Sequence, residues 1–441
     1  MKKTFLLFLM IAAMLQLFSG CKKNDVENSD PTPPTDLKMA VFSDPHYHDP
    51  SLGISGLAFK AYLLQDRKMI AQSKQIIESV ILTLKSSNAS IILVPGDLTK
   101  DGEKTNHEKM AALFVQLEST GKKVFVIPGN HDINNPQSYS YSGSTTTPVQ
   151  TVTPEEFATI YGQFGFNEAL YRDNNSLSYI VALNSNTWLL AMDACRYKEN
   201  TTTSITGGKF SDATYQWIID KLTEAKNKNI KVLGMVHHGL VEHYTGQSTM
   251  FAEYLLDDWQ NKSTEMASLG LKAVFTGHFH AQDIVRKEVN SSTFMFDIET
   301  GSLVTWPVPY RTITYTTTNK LTIHTSHVTT LSGYPDFEEF SRNYLQQGMD
   351  TLTKLQLMSP PYSLTYQEAQ MVAPLVVAGF MAHYHGDEAI DLQTQAGVNQ
   401  LIGLGGMAAL VGMSVQAMFA DPNPADQNIE INLSSGTVSP L

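Results

Sequence analysis

From Leu37 to about Thr330 the chain alternates between short apolar runs and stretches whose apolar residues recur at three- and four-residue spacing. The runs Lys38–Phe42, Ile91–Val94, Val124–Ile127, Trp188–Met192, Lys231–Val236 and Ala273–Thr276 are compact and rich in Val, Ile, Leu and Phe, which predicts buried strands. Between them, Ile70, Ile77, Ile81 and Leu84 share one helical face. Tyr215, Ile218, Leu222 and Ala225 share another, with Ser211 placed to cap that helix. Strands alternating with helices predict an α/β core. After residue 283 the pattern turns to strands alone, at Thr293–Ile298, Thr312–Thr317 and Leu321–Thr325.

Beyond about Gly333 the period changes again. Residues 336–358, 365–385 and 396–419 read as helices, and Thr365 and Glu368 are spaced as a capping box. The run Leu401–Phe419 approaches the length of a membrane span, but Gly403, Gly405, Gly406 and Gly412 favour close packing, so a buried helix is expected. The tail after Asp421 reads as irregular.

The N-terminus follows a different logic. Lys2 and Lys3 precede an apolar run from Phe5 to Leu17, and then comes Phe18-Ser19-Gly20-Cys21. This resembles a bacterial lipoprotein export signal, in which Cys21 is acylated and becomes the mature N-terminus. Residues 22–36 are polar and Pro-rich and read as a tether. The expected organisation is a signal peptide over 1–20, lipidated Cys21 and tether over 21–37, an α/β domain over 38–330 and a helical region over 331–441. The expected location is the periplasmic or cell-surface side of a membrane. The other cysteine, Cys195, is then left without a disulfide partner.

Of the 441 residues 42% are hydrophobic, enough for a large core, and the formal net charge is -12. No basic run occurs, so polymeric nucleic acid is an unsuitable partner.

Candidate chemistry gathers just after the predicted strands. In order stand Asp44-Pro45-His46, Gly96-Asp97, Gly129-Asn130-His131-Asp132, His237-His238 and Gly277-His278-Phe279-His280. Each is weak alone, since a Gly-Asp is usually a turn and a strand-end His is usually just hydrogen-bonded. Together they place six of the thirteen histidines on five strand ends. Imidazole and carboxylate donors without Cys suit Zn, Mn or Fe rather than a structural zinc knot.

This ordered set resembles the calcineurin-like metallophosphoesterase superfamily, over roughly residues 38–330. The resemblance implies a layered α/β sandwich of metallo-dependent phosphatase type with two central mixed sheets. It implies two divalent or trivalent ions (Mn, Fe or Zn). Asp44, His46 and His280 would hold the first ion, and Asn130, His237 and His278 the second, with Asp97 bridging. His131 would stand beside the leaving group with Asp132 orienting it. The family pattern often has an Asp where this chain has Lys100, and Asp101 follows it. A phosphoester repels hydroxide, and two cations sharing one carboxylate would offset that charge.

The remaining histidines read more blandly. His238 is expected beside the ligands, His107 at the pocket rim or on a solvated helix face, and His383 and His385 at a helix end. The segment GDLTKDGEKTNHE with a helical addition is similar to exported bacterial phosphodiesterases of the cyclic-nucleotide type. The expected activity is therefore hydrolysis of small extracytoplasmic phosphodiesters. A phosphomonoesterase of acid-phosphatase type and a non-catalytic surface-binding lipoprotein are the alternatives.

Overall fold

The computed structural model describes residues 34–420, 422 and 424–441. The export signal, Cys21 and the tether as far as residue 33 lie outside the described residues. Two seven-stranded mixed sheets form the centre. The first runs in spatial order Thr437–Pro440, Ile429–Asn432, Lys320–His327, Pro309–Tyr315, Leu37–Val41, Ile91–Val94 and Lys123–Val126. Its last three strands are mutually parallel and the others antiparallel. The second sheet runs Asp283–Asn290, Thr293–Glu299, Ala273–Thr276, Lys231–Val236, Thr187–Met192, Tyr179–Asn184 and Tyr171–Arg172, with four parallel strands at its centre.

The central parallel strands are continuous apolar runs because both faces of each sheet are covered there. Met39, Ile92 and Phe125 of the first sheet share a core with Leu233, Phe275 and Phe296 of the second. The helix Ser73–Ser86 adds Ile77, Ile81 and Leu84 to that core. On the far side of the second sheet, Ile218, Leu222 and Ala225 of helix Asp212–Asn227 meet Leu190, Val232 and Val274. Ser211 caps that helix through its side chain, and Thr365 and Glu368 form the capping box on helix Tyr366–His385.

Two expectations need correction. The apolar stretch 396–419 is not one helix: Leu392–Leu404 ends at Gly405, whose φ of 72° lies in the left-handed region, and Gly406–Met418 starts anew. Among the described residues no helix is long and apolar enough to cross a membrane. The tail is not irregular either, since Ile429–Asn432 pairs with Lys320–His327 and Thr437–Pro440 extends the same sheet. Its alternation is short, and its partner lies about a hundred residues earlier, so pattern alone hides it.

The helical region packs on the catalytic sheets through Phe337, which joins the core between them, and through a second cluster. Leu345, Met349, Val377, Phe380, Tyr384 and Met418 close over Tyr244, Phe279 and Ala281. Phe279 lies between His278 and His280, so this contact bears directly on the loop that carries them.

Candidate metal centre

The parallel strands point their C-terminal ends at one place. The first sheet delivers Asp44, His46, Asp97 and Asn130, and the second delivers His237, His278 and His280 across from them. All seven are buried, none more than 5% exposed. The backbone there is strained. Among the described residues twelve non-glycine residues have positive φ, and five of them are Asp44, His46, Asp97, His278 and His280. Such conformations cost roughly 1–3 kcal/mol each and persist where a site requires them. Glycine allows the loops to close in: a Cβ on Gly129 would collide with the Asp97 carboxylate, and one on Gly277 with Ser43 and Asp44.

The side chains form two groups that share Asp97. Asp44, His46, Asp97 and His280 make one, and Asp97, His237 and His278 the other. Asp97 Oδ2 lies 3.5 Å from His46 Nε2 and 3.5 Å from His237 Nε2, while Oδ1 accepts the His131 backbone N–H at 2.9 Å. Asp44 turns Oδ2 to the Ser43 hydroxyl and the His278 N–H. Its Oδ1 stays buried without a hydrogen bond, 3.4 Å from His280 Nε2. His46 and His280 face each other through ring nitrogens 3.3 Å apart, and Asn130 Oδ1 lies 3.2 Å from His237 Nε2. Burial holds His46 well below its ordinary pKa, and Lys68 adds to this; burial likewise brings His280 down to about 4. Imidazole nitrogens and an orphaned carboxylate oxygen converging on one space are what two cations require.

One role is placed differently from its sequence reading. Asp132, suggested as the partner of His131, turns both oxygens inward: Leu98 N–H and Gly129 N–H donate to Oδ2, and Thr99 N–H and hydroxyl donate to Oδ1. It pins the Asp97 loop to the Asn130 loop. The carboxylate on His131 Nδ1 is Asp101, at 2.9 Å. Asp101 is itself paired with Lys100, which is buried, also meets Glu103 at 3.3 Å and lies over the Tyr62 ring. The lysine that departs from the family pattern thus fixes the acid that holds His131. Burial opposes a charge on His131, but Asp97 and the Asp101 hydrogen bond outweigh it and raise its pKa. Its side chain is 25% exposed, which leaves it reachable at the mouth of the site.

The other histidines of the sequence reading stand outside these two clusters. His238 Nε2 meets Thr206 O at 2.9 Å while its ring lies 4.4 Å from that of His278. His107 is neither at a rim nor solvated; it is buried between Tyr161 OH at 2.9 Å and Asp132 O at 2.8 Å. His385 stacks on Trp306, and His383 turns inward away from the metal ligands. Two cations had no sequence signal: Arg67 and Lys68, from the loop between helices Gly56–Leu63 and Ser73–Ser86. Both charges are felt at His280, and that of Lys68 also at His46 and His131.

Residues 37–282 match the calcineurin-like phosphoesterase family. The chain belongs to that family. This phosphoesterase therefore hydrolyses phosphoesters, and its shared-carboxylate clusters form a dinuclear divalent metal site. Solved structures of similar shape include a dimetal phosphatase from Danio rerio, at 15% identity and a TM-score of 0.47, covering 68% of this chain and 97% of that one. A purple acid phosphatase from yellow lupin is 11% identical with a TM-score of 0.45, covering 67% of this chain and 52% of its own. A 5'-nucleotidase from Staphylococcus aureus is 14% identical with a TM-score of 0.41, covering 72% of this chain and 58% of its own. This phosphoesterase thus spans little more than half the length of the latter two. No curated protein matches the chain.

Proposed function

We propose that this phosphoesterase hydrolyses small phosphodiesters outside the cytoplasm. The observation that carries the choice of a diester is a chamber of about 430 Å³ between the metal-site loops and the helical region. Arg67, Tyr254, Phe279, Phe380 and Tyr384 line it. Arg67 donates to Tyr384 OH at 2.7 Å there, and the Tyr254 ring lies 4.7 Å from that of His278. A diester keeps one organic group on phosphorus while the other leaves. With the leaving group beside His131, the chamber on the His278–His280 side takes the retained group. A monoester has nothing to put in it.

In this reading Asp44, His46 and His280 hold one ion and Asn130, His237 and His278 the other, with Asp97 between; imidazole and carboxylate donors favour Mn, Fe or Zn. Bound there, the ions supply positive charge against the phosphate and lower the pKa of the attacking water. Arg67 and Lys68 add charge on the same side. Asp101 holds His131 through Nδ1, leaving Nε2 to give a proton to the departing oxygen.

The test is a kinetic comparison of a bis-aryl phosphate, the matching aryl monophosphate and cyclic nucleotides. The diester kcat/KM should exceed the monoester value by about tenfold or more, roughly 1.4 kcal/mol of barrier. A preference for the monoester would establish a phosphomonoesterase, and no turnover with metals bound would leave a binding lipoprotein.

The location is proposed on the N-terminal sequence alone: Cys21 carries lipid and tethers the enzyme to the outer side of a membrane, with no polymeric nucleic acid as partner. Cys21→Ser should accumulate as full-length precursor in the membrane fraction, read by intact-mass analysis. Normal maturation of that variant would contradict the anchor.

A further inference from the structure

A second buried cluster of metal-binding side chains lies where the helical region meets the catalytic sheets. Asp283 opens the strand Asp283–Asn290, His243 follows the strand Lys231–Val236, His383 is in the last turn of helix Tyr366–His385, and Glu388 lies just past that helix. Each of these side chains is at most 2% exposed. None belongs to the dinuclear site.

His383 Nδ1 lies 2.7 Å from Glu388 Oε1 and 3.6 Å from Asp283 Oδ2, and His243 Nδ1 lies 3.2 Å from that same oxygen. Asp283, His383 and Glu388 each offer one donor atom within a common 4.8 Å. Four donors around a tetrahedral zinc stand about 3.3 Å apart, given zinc–ligand bonds of about 2.0–2.1 Å. His243 stands beside that group and pairs with carboxylates on two sides: Nδ1 lies 3.2 Å from Asp283 Oδ2, and Nε2 lies 3.6 Å from Asp297 Oδ2 and 3.7 Å from Glu299 Oε2.

Carboxylates crowd this seam: Asp283, Asp297, Glu299, Glu388 and Asp426 meet Arg311 and His243, whose pKa burial opposes but Asp283 and Asp297 raise well above its ordinary value. Arg311 spends its hydrogen bonds on the backbone carbonyls of Glu299 and Asp426 rather than on a carboxylate. Asp297 is served by Leu240 N–H, Val241 N–H and the Thr276 hydroxyl, and Asp426 by Ile284 N–H and Asp387 N–H. Asp283 Oδ2 and Glu388 Oε1 instead face imidazoles.

We infer that Asp283, His383 and Glu388 form a third divalent-cation site whose imidazole and carboxylate donors suit zinc. One of its donors comes from the catalytic sheets and two from the helical region, so the ion fastens one to the other.

Metal content of the full chain decides it. After loading with zinc alone and removal of the excess, the wild type should hold about three ions, Glu388→Gln and His383→Gln/Glu388→Gln about two, and Asp97→Asn about one. Glutamine keeps the shape and is a poor zinc ligand, so circular dichroism should be unchanged. The thermal midpoint of the double variant should no longer respond to zinc added after mild chelation of the third site. Equal zinc in wild type and double variant overturns the inference and leaves an ion-pair network. Because Asp97→Asn keeps the third ion, failure of the dinuclear reading would show separately, as a zinc content that Asp97→Asn does not change.

Discussion

Asp97→Asn should abolish hydrolysis of every phosphoester, diester and monoester alike, by roughly 10³-fold or more, about 4 kcal/mol of barrier. The reason is local. Asp97 Oδ1 is occupied by the His131 backbone N–H, so an Asn in its place keeps the carbonyl there. Its NH₂ then points between His46 and His237, where Oδ2 stood 3.5 Å from each ring. A donor facing two cations repels both, and the one negative charge common to the two ion positions is gone. Both ions should therefore weaken together. Metal analysis and turnover of the same sample check this. Retention of both ions with near-normal rates would show that Asp97 does not bridge.

His131→Ala should behave in the opposite way: it keeps its metals and loses rate according to the leaving group. A nitrophenolate departs readily, so its rate should change little, whereas an alkoxide such as a ribose oxygen should slow by about 10²–10⁴-fold. Asp101 would not be stranded, because Lys100 still pairs with it. Asp101→Asn should give a weaker version of the same leaving-group dependence, since it removes the charge that supports a protonated His131 but leaves the ring. A leaving-group series on both variants reads this directly. An equal loss for good and poor leaving groups would assign His131 to bracing its loop instead.

Much of this site was legible because each ligand motif is contiguous with a strand. AVF before Asp44, IILV before Asp97 and VLGMV before His237 announce buried strands, and the polar residue after each has one place to go. What was not legible depends on side-chain direction or on distant partners. Asp132 adjoins His131 in sequence, yet its carboxylate turns back to the N–H groups of Leu98, Thr99 and Gly129. Asp101, thirty residues earlier, takes the place beside the ring. The unusual Lys100 was the available hint, since a lysine next to a ligand loop needs an acid to be buried. Arg67 and Lys68 sit in a loop with no period or motif, and only the folded chain brings them to His280. Likewise His383 reads as an ordinary helix end until Asp283 and Glu388 are found against it.

The central claim is that Asp97 joins two cations held by Asp44, His46, His280, Asn130, His237 and His278. Anomalous scattering from a manganese-soaked crystal tests it most directly. The account predicts two peaks about 3.5–4 Å apart, both within bonding distance of Asp97, one beside His46 and His280 and the other beside His237 and His278. A single peak, or a pair in which Asp97 touches only one ion, would contradict it.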